Sequence, residues 1–268
     1  MRFERGLVAA LVILLIFSGQ IAHMLTELRW FQSLGYSSVY ATMIAARIAL
    51  FLGSALAFGA VSLANLRLIR ERPRYLSWIV VLISILFGLV IQFGWERALL
   101  ALNAQTFAVN DPLFGLDSGF YVFTLPLLWA LWYAIFFAIM INLAITAGAY
   151  LFLQADQLIF GPEERDYAEI AKSIPGRALA HMSALLGILA LLFSFRFLLD
   201  RYELLYSATG VVYGAGYADV YARLPFLYIY AGAALIAAIL LFAFAAGKRS
   251  ARVPLIIGVI VVATAGLG

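Results

Sequence analysis

Apolar residues run through this chain in seven blocks separated by short polar breaks, at residues 6–24, 41–66, 76–93, 123–152, 178–199, 224–246 and 253–268. A helix needs about 20 predominantly apolar residues to cross the hydrocarbon core of a bilayer, and the first six blocks are of that order. A backbone in lipid must satisfy its own hydrogen bonds, and runs this long and uniformly apolar predict helices rather than barrel strands. The expectation is an all-α membrane protein, a single polytopic bundle of about seven transmembrane helices over residues 1–268 with structured outer loops. The fourth block would measure roughly 45 Å as helix, so it tilts or begins in the interface. The seventh is short for a span, which reads as a shortened or partial form of something longer.

Composition supports the same class. Hydrophobic residues make up 65% of the chain and charged residues 12%, against roughly 45–50% and about 25% in soluble domains. There is no cysteine, which excludes disulfides, thiolate metal sites and cysteine nucleophiles. The formal net charge of +4 reads as topology signal and not as a nucleic-acid surface. Arg2, Arg5, Arg67, Arg70, Arg72, Arg74, Arg165, Lys172, Arg177, Lys248, Arg249 and Arg252 fall on one side of the predicted bundle. Only Arg29, Arg97, Arg201 and Arg223 fall on the other, while Arg47 and Arg196 lie inside helices. Twelve against four places the N-terminus in the cytoplasm and the C-terminal end outside, in a multi-pass plasma-membrane protein. The charged start before residue 6 is not taken as a signal peptide: the apolar run is long for one and lacks a small-x-small cleavage site. Residues 161–175, with Pro162 near the start, acids in the first turn and Pro175 closing, predict a short interfacial helix that serves as a connector.

Two outer stretches depart from ordinary membrane-helix composition, and the first reads Asn110-Asp-Pro-Leu-Phe-Gly-Leu-Asp-Ser-Gly-Phe-Tyr-Val-Phe-Thr-Leu-Pro126. The second begins Asp200-Arg-Tyr-Glu-Leu-Leu-Tyr-Ser207 and continues Gly210-Val-Val-Tyr-Gly-Ala-Gly-Tyr-Ala-Asp-Val-Tyr-Ala-Arg-Leu-Pro225. Their glycines, prolines and aromatics suit irregular backbone buried in protein, so the two are expected to pack on each other as one ordered cap. With Trp30-Phe-Gln-Ser-Leu-Gly-Tyr36, these stretches resemble the uncharacterised bacterial and archaeal membrane-protein family numbered 0182. The resemblance spans essentially the whole chain. It implies seven amino-terminal membrane helices followed by a large extracytoplasmic domain, of which this chain would hold only the membrane portion. It brings no established catalytic residues.

His23 and His181 fall at opposite ends of their helices, roughly 25 Å apart, so one haem cannot join them. Asp111, Asp117, Asp200, Glu203 and Asp219 are candidates for a hard-cation site. They lack the alternating spacing of a calcium loop, and loop capping is the better reading. Tyr202, Tyr206, Tyr213, Tyr217 and Tyr221, with Trp95, Phe120 and Tyr121, read as an interfacial belt before a sugar or headgroup platform. Gly210, Gly214 and Gly216 follow no strand and are no nucleotide fingerprint. The pairs Gly53/Ala57 and Ala144/Gly148 stand four residues apart, which would let helices approach closely. Asn142 predicts an interhelical hydrogen bond. Arg47, about 10 Å deep, predicts an acid partner, with Glu203 or Asp200 at the right depth and Arg196 competing for them.

No catalytic, metal or cofactor residues are assigned, and no cofactor is expected. The remaining structural candidates are Arg47, Arg196, Asp200, Glu203, Asp111, Asp117 and Asn142. The favoured function is a scaffold subunit of a membrane complex, with lipid and other membrane subunits as partners and neither nucleic acid nor an identifiable soluble substrate. A transporter or channel component comes second, since the helices lack the midplane charges usual there. An outer-face enzyme comes third, without a nucleophile–base pair to support it.

Overall fold

The structure is a computed structural model describing residues 2–69, 72–159, 176–208 and 213–247, with side chains described from residue 18 onward except over 154–159. Six long helices dominate. They are α1 (Arg2–Ser33), α2 (Ser37–Arg67), α3 (Tyr75–Ile91), α5 (Leu125–Ile159), α6 (Gly176–Glu203) and α7 (Leu224–Ala245), with a short α4 (Trp95–Leu102) between α3 and α5. Among the described residues there is no β-strand, only an isolated bridge between Asn110 and Asp117. Five runs among the described residues are long and apolar enough to cross a membrane: Ser37–Arg67, Tyr75–Leu102, Phe120–Leu153, Gly176–Tyr206 and Asp219–Ala245. The expected count of seven is thus not confirmed among the described residues. The block at 253–268 and the interfacial helix expected at 161–175 lie outside the described residues.

Exposure agrees with a lipid solvent. Trp78, Leu56 and Val90 are 76%, 70% and 68% exposed on the sides of helices, and contiguous apolar surface of that kind is not left facing water. Apolar helix faces here contact membrane lipid.

The turns follow from local chemistry. Gly35 adopts φ 78° after α1, and its N–H donates to Gln32 while Tyr36 N–H donates to Phe31. This pair of bonds closes the helix with a glycine in the left-handed conformation. Helices α5 and α7 begin alike, each after a five-residue π-helical turn, Phe120–Thr124 and Asp219–Arg223. In both cases the next two residues are Leu and Pro, Leu125-Pro126 and Leu224-Pro225. Proline has no N–H for the regular ladder. The leucine before it donates five residues back instead, to Phe120 and to Asp219 respectively.

Packing is organised in helix pairs. Along α5 and its entry, Tyr121, Leu125, Trp132, Ile139 and Leu143 meet Leu185, Leu192 and Leu199 of α6. The seven-residue spacing on α6 is that of a left-handed seam, and Trp132 Nε1 donates across it to the Leu192 carbonyl at 2.9 Å. Small residues set the other pairs. A Cβ at Gly88 of α3 would come within 2.7 Å of the Phe51 carbonyl oxygen of α2, and one at Gly187 of α6 within 2.9 Å of the Phe242 ring of α7. The expected close-approach positions were Gly53 and Gly148, and this is corrected: a Cβ at either meets nothing within 4 Å. Spacing alone does not reveal which face of a helix meets a neighbour.

Candidate functional site

The end of the bundle that carries α4 is covered by a cap, built around two aspartates. The Asp111 carboxylate accepts from four donors: the amides of Leu113 (2.9 Å), Phe114 (2.6 Å) and Leu116 (2.8 Å), and the Tyr121 hydroxyl (2.8 Å). Burial pushes its pKa up, but these hydrogen bonds outweigh burial and hold the carboxyl below its ordinary value. Asp117 Oδ1 accepts from Phe107 N–H (3.1 Å) and Gly119 N–H (2.7 Å), and those amides likewise hold it low. Ser118 closes the same loop, its N–H and its hydroxyl both donating to the Val109 carbonyl at 2.8 Å. Glycine is required at 119, where a Cβ would collide with the Gln105 carbonyl oxygen and stand 2.8 Å from Asp117 Oδ1. Gly115, at φ 69°, makes the turn beneath Asp111.

The two outer stretches do meet. Phe114 and Phe120 pack edge-on against Tyr202, with ring centroids 5.2 and 5.0 Å apart, and Tyr121 lies 6.3 Å from Tyr206. Arg201 is sandwiched in this cluster, its guanidinium 4.5 Å from the centre of the Tyr202 ring and 5.9 Å from that of Phe114. Gly214 N–H donates to the Ser207 carbonyl at 2.8 Å. Asp219, 3% exposed, accepts from Gly216 N–H at 3.0 Å and pairs with Arg223 at 2.8 Å. Tyr213, Tyr217 and Tyr221 remain 71%, 80% and 67% exposed, the last two tilted against each other with centroids 4.4 Å apart.

Two candidate residues, Arg47 and Glu203, fall where the sequence did not place them. Arg47 pairs with neither Glu203 nor Asp200. Its guanidinium lies 5.3 Å from the Trp95 ring centre, and its Nε is buried without a hydrogen-bond partner. The reason is α4, an unexpected helix that brings Trp95 to α2, where a ring face offers the cation its quadrupole. Arg196 keeps Asp200, at 3.5 Å, while lying over Trp129 and Trp132. Glu203 is exposed and joins no ion pair among the described residues. Nor is any group of three His, Asp or Glu residues placed there to hold a metal ion.

At the opposite end, a polar thread joins α2, α5 and α6. Asn142 behaves as expected, its Nδ2 donating to Ser62 Oγ of α2 at 3.0 Å; its Oδ1 is buried without a partner. One turn further on, Asn65 Nδ2 donates to Thr146 Oγ1 at 2.8 Å, and Asn65 Oδ1 lies 2.7 Å from His181 Nε2. That oxygen only accepts, so Nε2 carries the proton and Nδ1 is left to accept from the Tyr150 hydroxyl at 3.3 Å. A neutral imidazole is thus satisfied on both sides. The spacing Asn142, Thr146, Tyr150 on one face of α5 was the available signal, together with Ser62 and Asn65 on α2.

With cap and bundle described, comparison with known proteins places the chain. The profile of uncharacterised protein family UPF0182 matches residues 5–76 and 70–268. The chain belongs to family UPF0182. Similar UPF0182 proteins include one from Mycolicibacterium vanbaalenii, 35% identical over 92% of this chain and 26% of its own length. Another, from Methanospirillum hungatei, is 30% identical over 97% of this chain and 31% of its own. A third, from Cupriavidus necator, is 30% identical over 86% and 27% respectively. The chain therefore spans between about a quarter and a third of the length of these UPF0182 relatives. No solved structure matches it.

Proposed function

We propose that this UPF0182 chain is a scaffold subunit in the plasma membrane, with its N-terminus cytoplasmic and its cap seating a partner protein or domain outside the cell. What supports the reading is the state of the cap. Its two loop carboxylates are engaged within the cap itself, Asp111 by three backbone amides and the Tyr121 hydroxyl and Asp117 by two backbone amides. Carboxylates occupied in this way are poor catalysts or cation ligands but good builders of a fixed surface. The exposed Tyr213, Tyr217 and Tyr221 give that surface the rigid aromatic area that anchors a partner. The basic residues gathered at the opposite end, Arg67, Arg72, Arg74 and Arg177 among them, support the orientation.

The polar thread through Ser62, Asn65, Asn142, Thr146 and His181 is the observation that favours transport instead. Its groups bond one another and include no acid, so it reads first as glue between helices. The two readings separate experimentally. The chain purified in mild detergent is expected to carry a stoichiometric protein partner and, alone in liposomes, to catalyse no solute uptake. Uptake by the isolated chain would replace the scaffold reading with the transport one.

A further inference from the structure

On the cap-bearing half of the bundle, α3 and α5 part and leave a groove of about 810 Å³. Leu86 and Val90 of α3 face Leu127, Leu131 and Phe137 of α5 across it. The charged residues in its lining are Glu96 and Arg97, consecutive on α4. Both are exposed, and neither joins an ion pair among the described residues. The lining runs from Ile83 to Ala98 on one side and from Leu127 to Ile141 on the other, about 20 Å of helix in each case. That exceeds one leaflet's hydrocarbon depth of about 15 Å and falls short of the full 30 Å or so. The lining ends at Ile141, and the next residue, Asn142, ties α5 to Ser62 of α2. A spanning helix would need a track open through both leaflets. An acyl chain needs one of single-leaflet depth, with room for a headgroup at its mouth.

We propose that this groove is a binding site for one phospholipid of the cap-side leaflet, with an amine-bearing zwitterionic headgroup on Glu96 and Arg97. The charges are complementary in kind: a primary ammonium donates to the Glu96 carboxylate, and the phosphate accepts from the Arg97 guanidinium. An anionic headgroup would satisfy Arg97 and be repelled by Glu96. A choline headgroup has no N–H to give the carboxylate.

The test uses the full chain in mild detergent with phosphatidylethanolamine, phosphatidylglycerol and phosphatidylcholine of matched acyl chains, read by native mass spectrometry. One phosphatidylethanolamine is expected to be retained about fivefold over the other two, the scale of a single exposed ion pair. The variant Glu96→Gln with Arg97→Gln, at exposed positions that leave folding intact, is expected to erase that preference. Ala134→Trp, which fills the groove, is expected to lower retention of all three lipids. Equal retention of the three by the unaltered chain, or a preference that survives in the double variant, overturns the proposal. So does a dimer of the chain, free of lipid, that Ala134→Trp dissociates, because it assigns the groove to a second copy.

Discussion

Asp111 shows what a single side chain does in this fold. It gathers three backbone amides and the Tyr121 hydroxyl, so the outer loop is held from within. Asp111→Ala leaves those donors to compete for water and is expected to cost about 1–2 kcal/mol, allowing for the solvent that reaches the loop. Thermal melting in detergent measures it, and Asp111→Asn should lose less because one acceptor oxygen remains. Acid acts on the same groups. Asp111 and Asp117 are both held below the ordinary value of 3.8. Their contribution is therefore complete above about that pH and is lost as pH falls through the depressed values. Pepsin cutting within 103–119 is expected to rise only as pH drops below 3.8, and cutting that is constant from pH 5 downward would contradict this. The Asx-type role of Asp111 was legible in the sequence from Asp-Pro and the nearby glycines. The fate of Arg47 was not, because it depends on Trp95, whose approach requires a helix that a short amphipathic segment barely announces.

Among the elements, five hydrophobic blocks overlap the described spans because bilayer thickness sets their length, but the ends differ: Tyr75–Leu102 runs well past the block at 76–93 and Gly176–Tyr206 past the one at 178–199. Which faces meet was hidden, because in lipid both the buried and the exposed sides of a helix are apolar. Gly88 and Gly53 make the contrast testable. Gly88→Ala would force a methyl against the Phe51 carbonyl oxygen and Ala55 and is expected to destabilise by about 1–3 kcal/mol. Gly53→Ala meets open space and is expected to be neutral or to stabilise by up to about 1 kcal/mol. Equal melting temperatures for the two variants would mean that α2 and α3 do not pack as described. The polar thread was half legible. Asn142 was recognisable as an isolated amide in an apolar run, whereas His181 needed the fold to bring Asn65 and Tyr150 to it.

Over the whole molecule, the cap lies at one end and Arg67, Arg72, Arg74 and Arg177 at the other among the described residues, and both the proposed orientation and the proposed scaffold role rest on that polarity. Cysteines introduced at the exposed positions Leu68 and Tyr217 are expected to react with an impermeant maleimide from opposite sides of the membrane, Tyr217→Cys from outside. Reaction of both from one side would contradict the orientation. The central claim is that the ordered cap is a seat for another protein, and Gly119 is the residue through which to test it. Gly119→Ala should disturb the loop around Asp117 while the α5–α6 seam and the polar thread stay in place. The decisive measurement is the stoichiometry of protein co-purifying with the wild-type chain and with Gly119→Ala, each confirmed monodisperse and helical. The account predicts a defined partner on the wild type that is lost from the variant. A wild-type chain that purifies without a partner, or a partner equally retained by Gly119→Ala, would contradict it.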